Sequence, residues 1–145
     1  NFTYCKEVII MESEINNGLY KSITDGLSCI FNKYDKAIIL KDDIVTSKGF
    51  LRFMNDALHI YKNDNKVAGI SGFSYISSKE ETYFLSINSS WGRGTWKRVW
   101  DSTIFNSEYL LETINKKRLI KKFNFGGFRD SYGMLLDHVE GKNQS

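Results

Sequence analysis

Apolar positions along this chain follow two periods. Glu7-Val8-Ile9-Ile10-Met11, Ala37-Ile38-Ile39-Leu40 and Val67-Ala68-Gly69-Ile70-Ser71 are short apolar runs bounded by polar residues, which predicts buried strands. Between the first two, Leu19, Ile23, Leu27, Ile30, Phe31 and Tyr34 recur at helical spacing, after a polar loop from Ser13 to Gly18. Between the second and third, Leu51, Met54, Leu58 and Tyr61 mark one face of a second helix. Ser47 is a suitable N-cap for it, and Lys62-Asn63-Asp64-Asn65 ends it. The order β-α-β-α-β with short connections predicts a largely parallel sheet with covering helices.

The second half is less regular. Tyr83-Phe84-Leu85 reads as a short strand, and residues 89–100 as a glycine-aromatic loop running into a helix. A basic helix is expected from about Glu108 to Phe123. A final helix is expected from Asp130 to Val139, with Met134, Leu135 and Val139 inward. No repeat or linker divides the chain, so 1–145 is read as a single domain.

With 145 residues, 41% hydrophobic and 26% charged, the composition is that of a globular domain with a core. A net charge of +3 makes no case for nucleic acid. Cys5 and Cys29 form neither a disulfide framework nor a metal cluster, and Cys29 falls in an apolar helical pattern that predicts burial. A reducing, cytoplasmic setting is expected. No apolar stretch reaches the ~18 residues that span a bilayer. The chain starts at Asn1 and stops at Ser145 without helix punctuation, and it reads as a piece of a longer protein.

Four places carry candidate chemistry. The run at 37–40 stops at Lys41-Asp42-Asp43, at the strand end where open α/β sheets bind ligands. Adjacent carboxylates repel unless a cation compensates, and oxygen-only ligands suit Mg²⁺ or Mn²⁺ shared with a phosphate. The competing reading is a plain turn. Asn16-Asn17-Gly18 is either a simple turn or a helix entry whose N–H groups favour anions. Trp91, Trp96 and Trp100 lie within ten residues. Trp91 is the expected sugar or base contact and Trp100 the expected core residue, while Trp96 and Trp100, four apart, also fit a core stripe. Lys116-Lys117-Arg118 with Lys121-Lys122 is a solvated helix face or a site for anionic lipid. His59 and His138 have no neighbouring ligands in sequence.

The order Asn16-x-Gly18-Leu19, Ser22-Ile23-x-x-Gly26, Ile38-Ile39-Leu40-x-Asp42-Asp43, Phe50-Leu51-x-x-Met54, Ile70-Ser71-Gly72-Phe73 and Ser90-Trp91-Gly92-x-Gly94-Thr95-Trp96 resembles bacterial sugar transferases. These are related to the N-acetylglucosaminyltransferase I family. The resemblance implies an α/β GT-A (Rossmann-like) fold: a mostly parallel sheet flanked by helices, a three-layer sandwich incomplete at both ends. It implies a metal-dependent glycosyltransferase with a nucleotide-sugar donor, such as a UDP-sugar, and a glycan or lipid-linked acceptor. Such an enzyme would work in the cytoplasm or peripherally at the inner face of the membrane. Donor contacts then fall to Asn16, Gly18, Ser22, Lys41 and Asp42, the metal to Asp43 and Asp42, and sugar or acceptor contacts to Trp91, Gly92, Arg93 and Trp96. Lys41 replaces an acidic residue of the family motif, and Arg93 replaces an aromatic one. The catalytic base has no candidate. Lys41 also motivates a catalytically impaired nucleotide-sugar-binding relative. A phosphoacceptor signalling domain is a remote alternative, since it too uses strand-end acids.

Overall fold

The computed structural model describes residues 6–74 and 76–142. In chain order the elements are α1 (Gly18–Phe31), β1 (Lys36–Ile39), α2 (Phe50–Ile60), β2 (Ile70–Ser71), β3 (Arg93–Trp96), α3 (Lys97–Asp101), α4 (Ser107–Lys116), α5 (Ile120–Phe123), a 3₁₀ turn (Phe125–Gly127) and α6 (Ser131–Val139). Among the described residues, no helix is long and apolar enough to cross a membrane.

The sheet corrects the expected parallel, Rossmann-like arrangement. Its order is β1-β3-β2, and both pairings are antiparallel. Because β1 and β2 each oppose β3, they point the same way, as a strand-helix-strand unit should. A third strand running the other way fills the space between them, so no two neighbours are parallel. The strand in question was expected to be loop. Its sequence, Arg93-Gly94-Thr95-Trp96, has two β-favouring residues at its end but a glycine that weakens a strand in its middle, and pairing on both sides holds it. Two backbone bonds continue the sheet beyond its strands, Lys97 N–H to Asp35 C=O and Gly72 N–H to Gly92 C=O, each 2.8 Å.

Strand alternation explains the core. Ile38 and Ile70 flank Gly94 in register, so this row faces one side of the sheet. There α2 packs with Phe50, Met54, Ala57 and Leu58 inward, spaced by four, seven and eight residues. A Cβ on Gly94 would lie 2.9 Å from Leu58 Cδ1 and 3.1 Å from Met54 Cε, so the missing side chain is what lets the helix close on the sheet. Trp96, two residues on, faces the same way. It is 4% exposed and donates its indole N–H to Leu58 C=O at 3.1 Å. On the opposite face, the Thr95 hydroxyl donates to Ala68 C=O at 2.9 Å.

Other expectations change locally. Glu7–Met11 forms no strand, and Val8, Ile9, Ile10 and Met11 are exposed. In α1 only Leu27 and Phe31 are buried, and Cys29 is exposed rather than core. Cys5 lies outside the described residues. Helix α2 begins after Gly49, and it is the Ser47 carbonyl, not its hydroxyl, that accepts from Phe50 N–H at 3.1 Å. Leu51 faces solvent. Tyr83-Phe84-Leu85 is not a strand. Tyr83 OH instead meets Ser74 Oγ and Ile76 C=O, and the Phe84 ring stands edge-on to Tyr61. The basic helix is broken at Arg118, whose φ of 55° ends α4 before α5 begins. α6 forms as expected, with the Asp130 carboxylate accepting from Gly133 N–H at 2.9 Å as its cap. Its Met134 is exposed.

Candidate functional site

Three segments meet at the carboxyl ends of β1 and β2. Lys41 to Ser47 leaves β1, Gly72 and Phe73 leave β2, and Trp91 and Gly92 lead into β3. They enclose a cleft of about 460 Å³ lined by Lys41, Asp43, Phe50, Phe73, Trp91 and Gly92, together with residues 44–47.

Phe50 is the floor. Gly72 and Gly92, bonded to each other through the backbone, both approach its Cε2 edge so closely that a Cβ on Gly92 would lie 3.0 Å from it, and one on Gly72 closer still. Gly92 also has φ of 71°, a backbone that only glycine adopts without strain. These two glycines fix where Phe73 and Trp91 begin. The Phe73 and Trp91 rings meet edge-to-face with centroids 4.8 Å apart, and Trp91 is 46% exposed. An amphipathic aromatic surface thus faces the cleft, the kind that packs on the apolar face of a sugar ring.

In the same cleft, Lys41 Nζ holds Asp43 Oδ2 at 3.1 Å, with both side chains substantially exposed. The ammonium supplies the compensating charge that the adjacent carboxylates need. Asp42 is exposed and outside the lining. Among the described residues, no three His, Cys, Asp or Glu side chains converge where a metal could sit.

The structure therefore brings together Lys41, Asp43, Trp91 and Gly92 of the residues singled out in the sequence. Others lie elsewhere. Asn16 Oδ1 accepts from Gly18 N–H at 2.9 Å, and Ser22 Oγ donates to Gly18 C=O at 2.9 Å, so these residues satisfy the entry to α1 locally. None of Asn16, Gly18 and Ser22 lines the cleft. Trp96 is core, and Arg93 falls on the sheet face away from α2. Phe50, Gly72 and Phe73 had no chemical signal in the sequence beyond their place in an apolar pattern.

No known protein-family profile matches the chain, and no solved structure matches it. One curated relative, 1,4-alpha-glucan-branching enzyme 1, chloroplastic/amyloplastic, of Pisum sativum, is 29% identical over 101 residues. The match takes in 66% of this chain but 11% of the relative, so the chain spans about a tenth of that protein's length. Three expectations are corrected here. The resemblance to GT-A nucleotide-sugar transferases is overturned by the antiparallel sheet and by a relative of a different carbohydrate-active kind. Its nucleotide-sugar chemistry, intact or impaired, falls with it, and so does the phosphoacceptor alternative, which needs the same parallel sheet.

Proposed function

We propose that this chain is a carbohydrate-active domain whose cleft at the ends of β1 and β2 binds a glucan chain. The observation that carries the reading is the exposed Trp91–Phe73 aromatic surface in one cleft with the Lys41–Asp43 pair. Aromatic faces take the C–H faces of sugar rings, and charged groups at the rim hydrogen-bond hydroxyls. The similarity to a branching enzyme supports glucan as the saccharide class.

Binding, rather than a complete catalytic centre, is the role proposed. Glycosidic bonds are ordinarily worked on by two carboxyl groups flanking the scissile bond. Among the described residues, Asp43 is the one acid lining the cleft. The domain then serves a carbohydrate-active enzyme by holding substrate.

Mg²⁺ or Mn²⁺ belongs to the proposal at Asp43 with Asp42. Two carboxylates match the one or two that Mg²⁺ commonly takes from protein, the rest of its shell being water or ligand oxygen. Such an ion would supply positive charge for substrate hydroxyls, and Lys41 is its competitor for Asp43.

Calorimetric titration with linear maltooligosaccharides tests the reading. Binding is expected, and Trp91→Ala should weaken it about tenfold through loss of the stacking surface. A folded chain that binds no maltooligosaccharide, or a Trp91→Ala variant that binds unchanged, would sink it.

A further inference from the structure

The charge of this chain is unevenly placed. Residues 116–129 contain Lys116, Lys117, Arg118, Lys121, Lys122 and Arg129 and no acid. That is +6 in fourteen residues of a chain whose total is +3, so everything else sums to −3. All six side chains are exposed, and none forms an ion pair among the described residues. The nearest following acid, Asp130, is occupied in capping α6 and accepts from Gly133 N–H and Asn124 Nδ2.

Cations on a solvated helix face are ordinary, but two features here are not. The first is apolar side chains interleaved among them. Phe128 is 78% exposed and Ile120 41%, both within the basic stretch. The second is a backbone that holds the stretch compact. Arg118 and Phe125 adopt left-handed φ of 55° and 50°, followed by Gly126 and Gly127 at 75° and 104°. The chain turns at each, so α4, α5 and the 3₁₀ turn fold back on one another instead of spreading the charge along one long helix. The Asn124 side chain locks the second turn, accepting from Tyr132 N–H at 2.8 Å. Left-handed non-glycine residues cost energy and persist only where the surroundings impose them.

We propose that residues 116–129 are a docking face for an anionic phospholipid surface. Charge complementarity selects the partner. Clusters of four to eight Lys and Arg bind acidic headgroups, each cation adding to the attraction within a Debye length. Exposed aromatic and aliphatic side chains among the cations then enter the headgroup boundary, which a purely ionic partner would not require. The chain lies on the surface and does not span it. This face is separate from the saccharide cleft, and glucan titration reads the cleft independently.

The test is flotation of the whole chain with phosphatidylcholine vesicles, with and without phosphatidylglycerol. The chain should float only with anionic vesicles and should be released by high salt. Lys121→Glu/Lys122→Glu should lower partitioning roughly tenfold or more, and Phe128→Ser about threefold. Circular dichroism checks that each variant is folded. Should the first pair misfold, Lys116→Glu/Lys117→Glu carries the same expectation. Equal flotation with neutral and anionic vesicles, no flotation by a folded chain, or unchanged partitioning of the folded charge-reversal variants would each overturn the proposal. Retention on immobilised heparin without vesicle binding would also overturn it, assigning the charge to a soluble polyanion.

Discussion

Removing Arg98 should destabilise the fold out of proportion to its place near the surface. Its side chain reaches back to the loop joining α2 to β2. Nε donates to Lys62 C=O at 3.1 Å, and Nη2 donates to Asp64 C=O at 3.0 Å and Val67 C=O at 2.9 Å. The guanidinium also lies 4.5 Å from the centre of the buried Trp96 ring. Nη2 also reaches the carbonyl of Tyr61, the C-cap of α2, at 3.4 Å, so one cation serves the helix end, where positive charge is favoured, and fixes the loop that delivers Val67 into the core. Hydrogen bonds from a charged donor contribute about 1.5–3 kcal/mol, and a cation–π contact about 0.5–2. Water can replace the donor at the exposed Lys62 and Asp64 carbonyls, so Arg98→Ala should cost about 2–4 kcal/mol in total. For a chain of this size that lowers Tm by roughly 7–13 °C. Urea unfolding should show a lower midpoint with unchanged slope, because the surface exposed on unfolding stays the same. Arg98→Lys keeps the charge but not the planar fork, so it should recover about half the loss. An Arg98→Ala protein within about 0.5 kcal/mol of the parent would refute this account of the loop.

The remaining predictions concern packing, the cleft and the C-terminal helices. Gly94→Ala drives a Cβ against Leu58 and Met54, which are 1% and 0% exposed, and should cost about 1–3 kcal/mol in urea unfolding. Combining it with Leu58→Ala should cost less than the two changes added together, and strict additivity would count against the close approach. Lys41→Ala breaks an exposed ion pair and should move stability by under about 0.5 kcal/mol, yet it should raise Mn²⁺ affinity by uncovering Asp43, as read by calorimetry. Asn124→Ala removes the side chain that joins α5 to α6 through Tyr132 N–H and Asp130. It should cost about 1–2 kcal/mol and speed hydrogen exchange at the start of α6.

The helices were legible because their pattern is local. The period of α2 placed Met54 and Leu58 inward, as they are, but its face was drawn through Leu51, which is exposed, where Phe50 and Ala57 are the buried residues, and its Ser47 cap is not made by the hydroxyl. Pairing in the sheet is not local. The apolar runs at 37–40 and 67–71 were recognisable as strand material, but nothing within them says that the segment at 93–96 enters between them. The isolated pattern of three apolar runs therefore suggested a parallel sheet, whereas the register places Gly94 between Ile38 and Ile70. The run at 7–11 shows the converse. It has the composition of a strand, yet it lies unpaired and exposed.

The candidate site divides along the same line. Lys41 and Asp43 follow a strand that the sequence marks, so their position at its carboxyl end could be inferred before any contact was known. Of the tryptophans, Trp91 was expected at a ligand and lines the cleft, whereas Trp96 was left between ligand contact and core, because its role depends on where β3 starts. Once Arg93–Trp96 is a strand, alternation sends Gly94 and Trp96 towards α2 and Arg93 to the other face. Trp91 lies before the strand, beyond the left-handed Gly92, and so escapes that alternation. Its freedom to face the cleft comes from a backbone angle that a tryptophan-glycine pattern permits but does not specify. A Gly92→Ala variant should therefore weaken saccharide binding, by straining the turn that aims Trp91 and by crowding Phe50 in the cleft it lines. Unchanged affinity in a folded Gly92→Ala protein would show that the ring finds its place by packing on Phe73 alone.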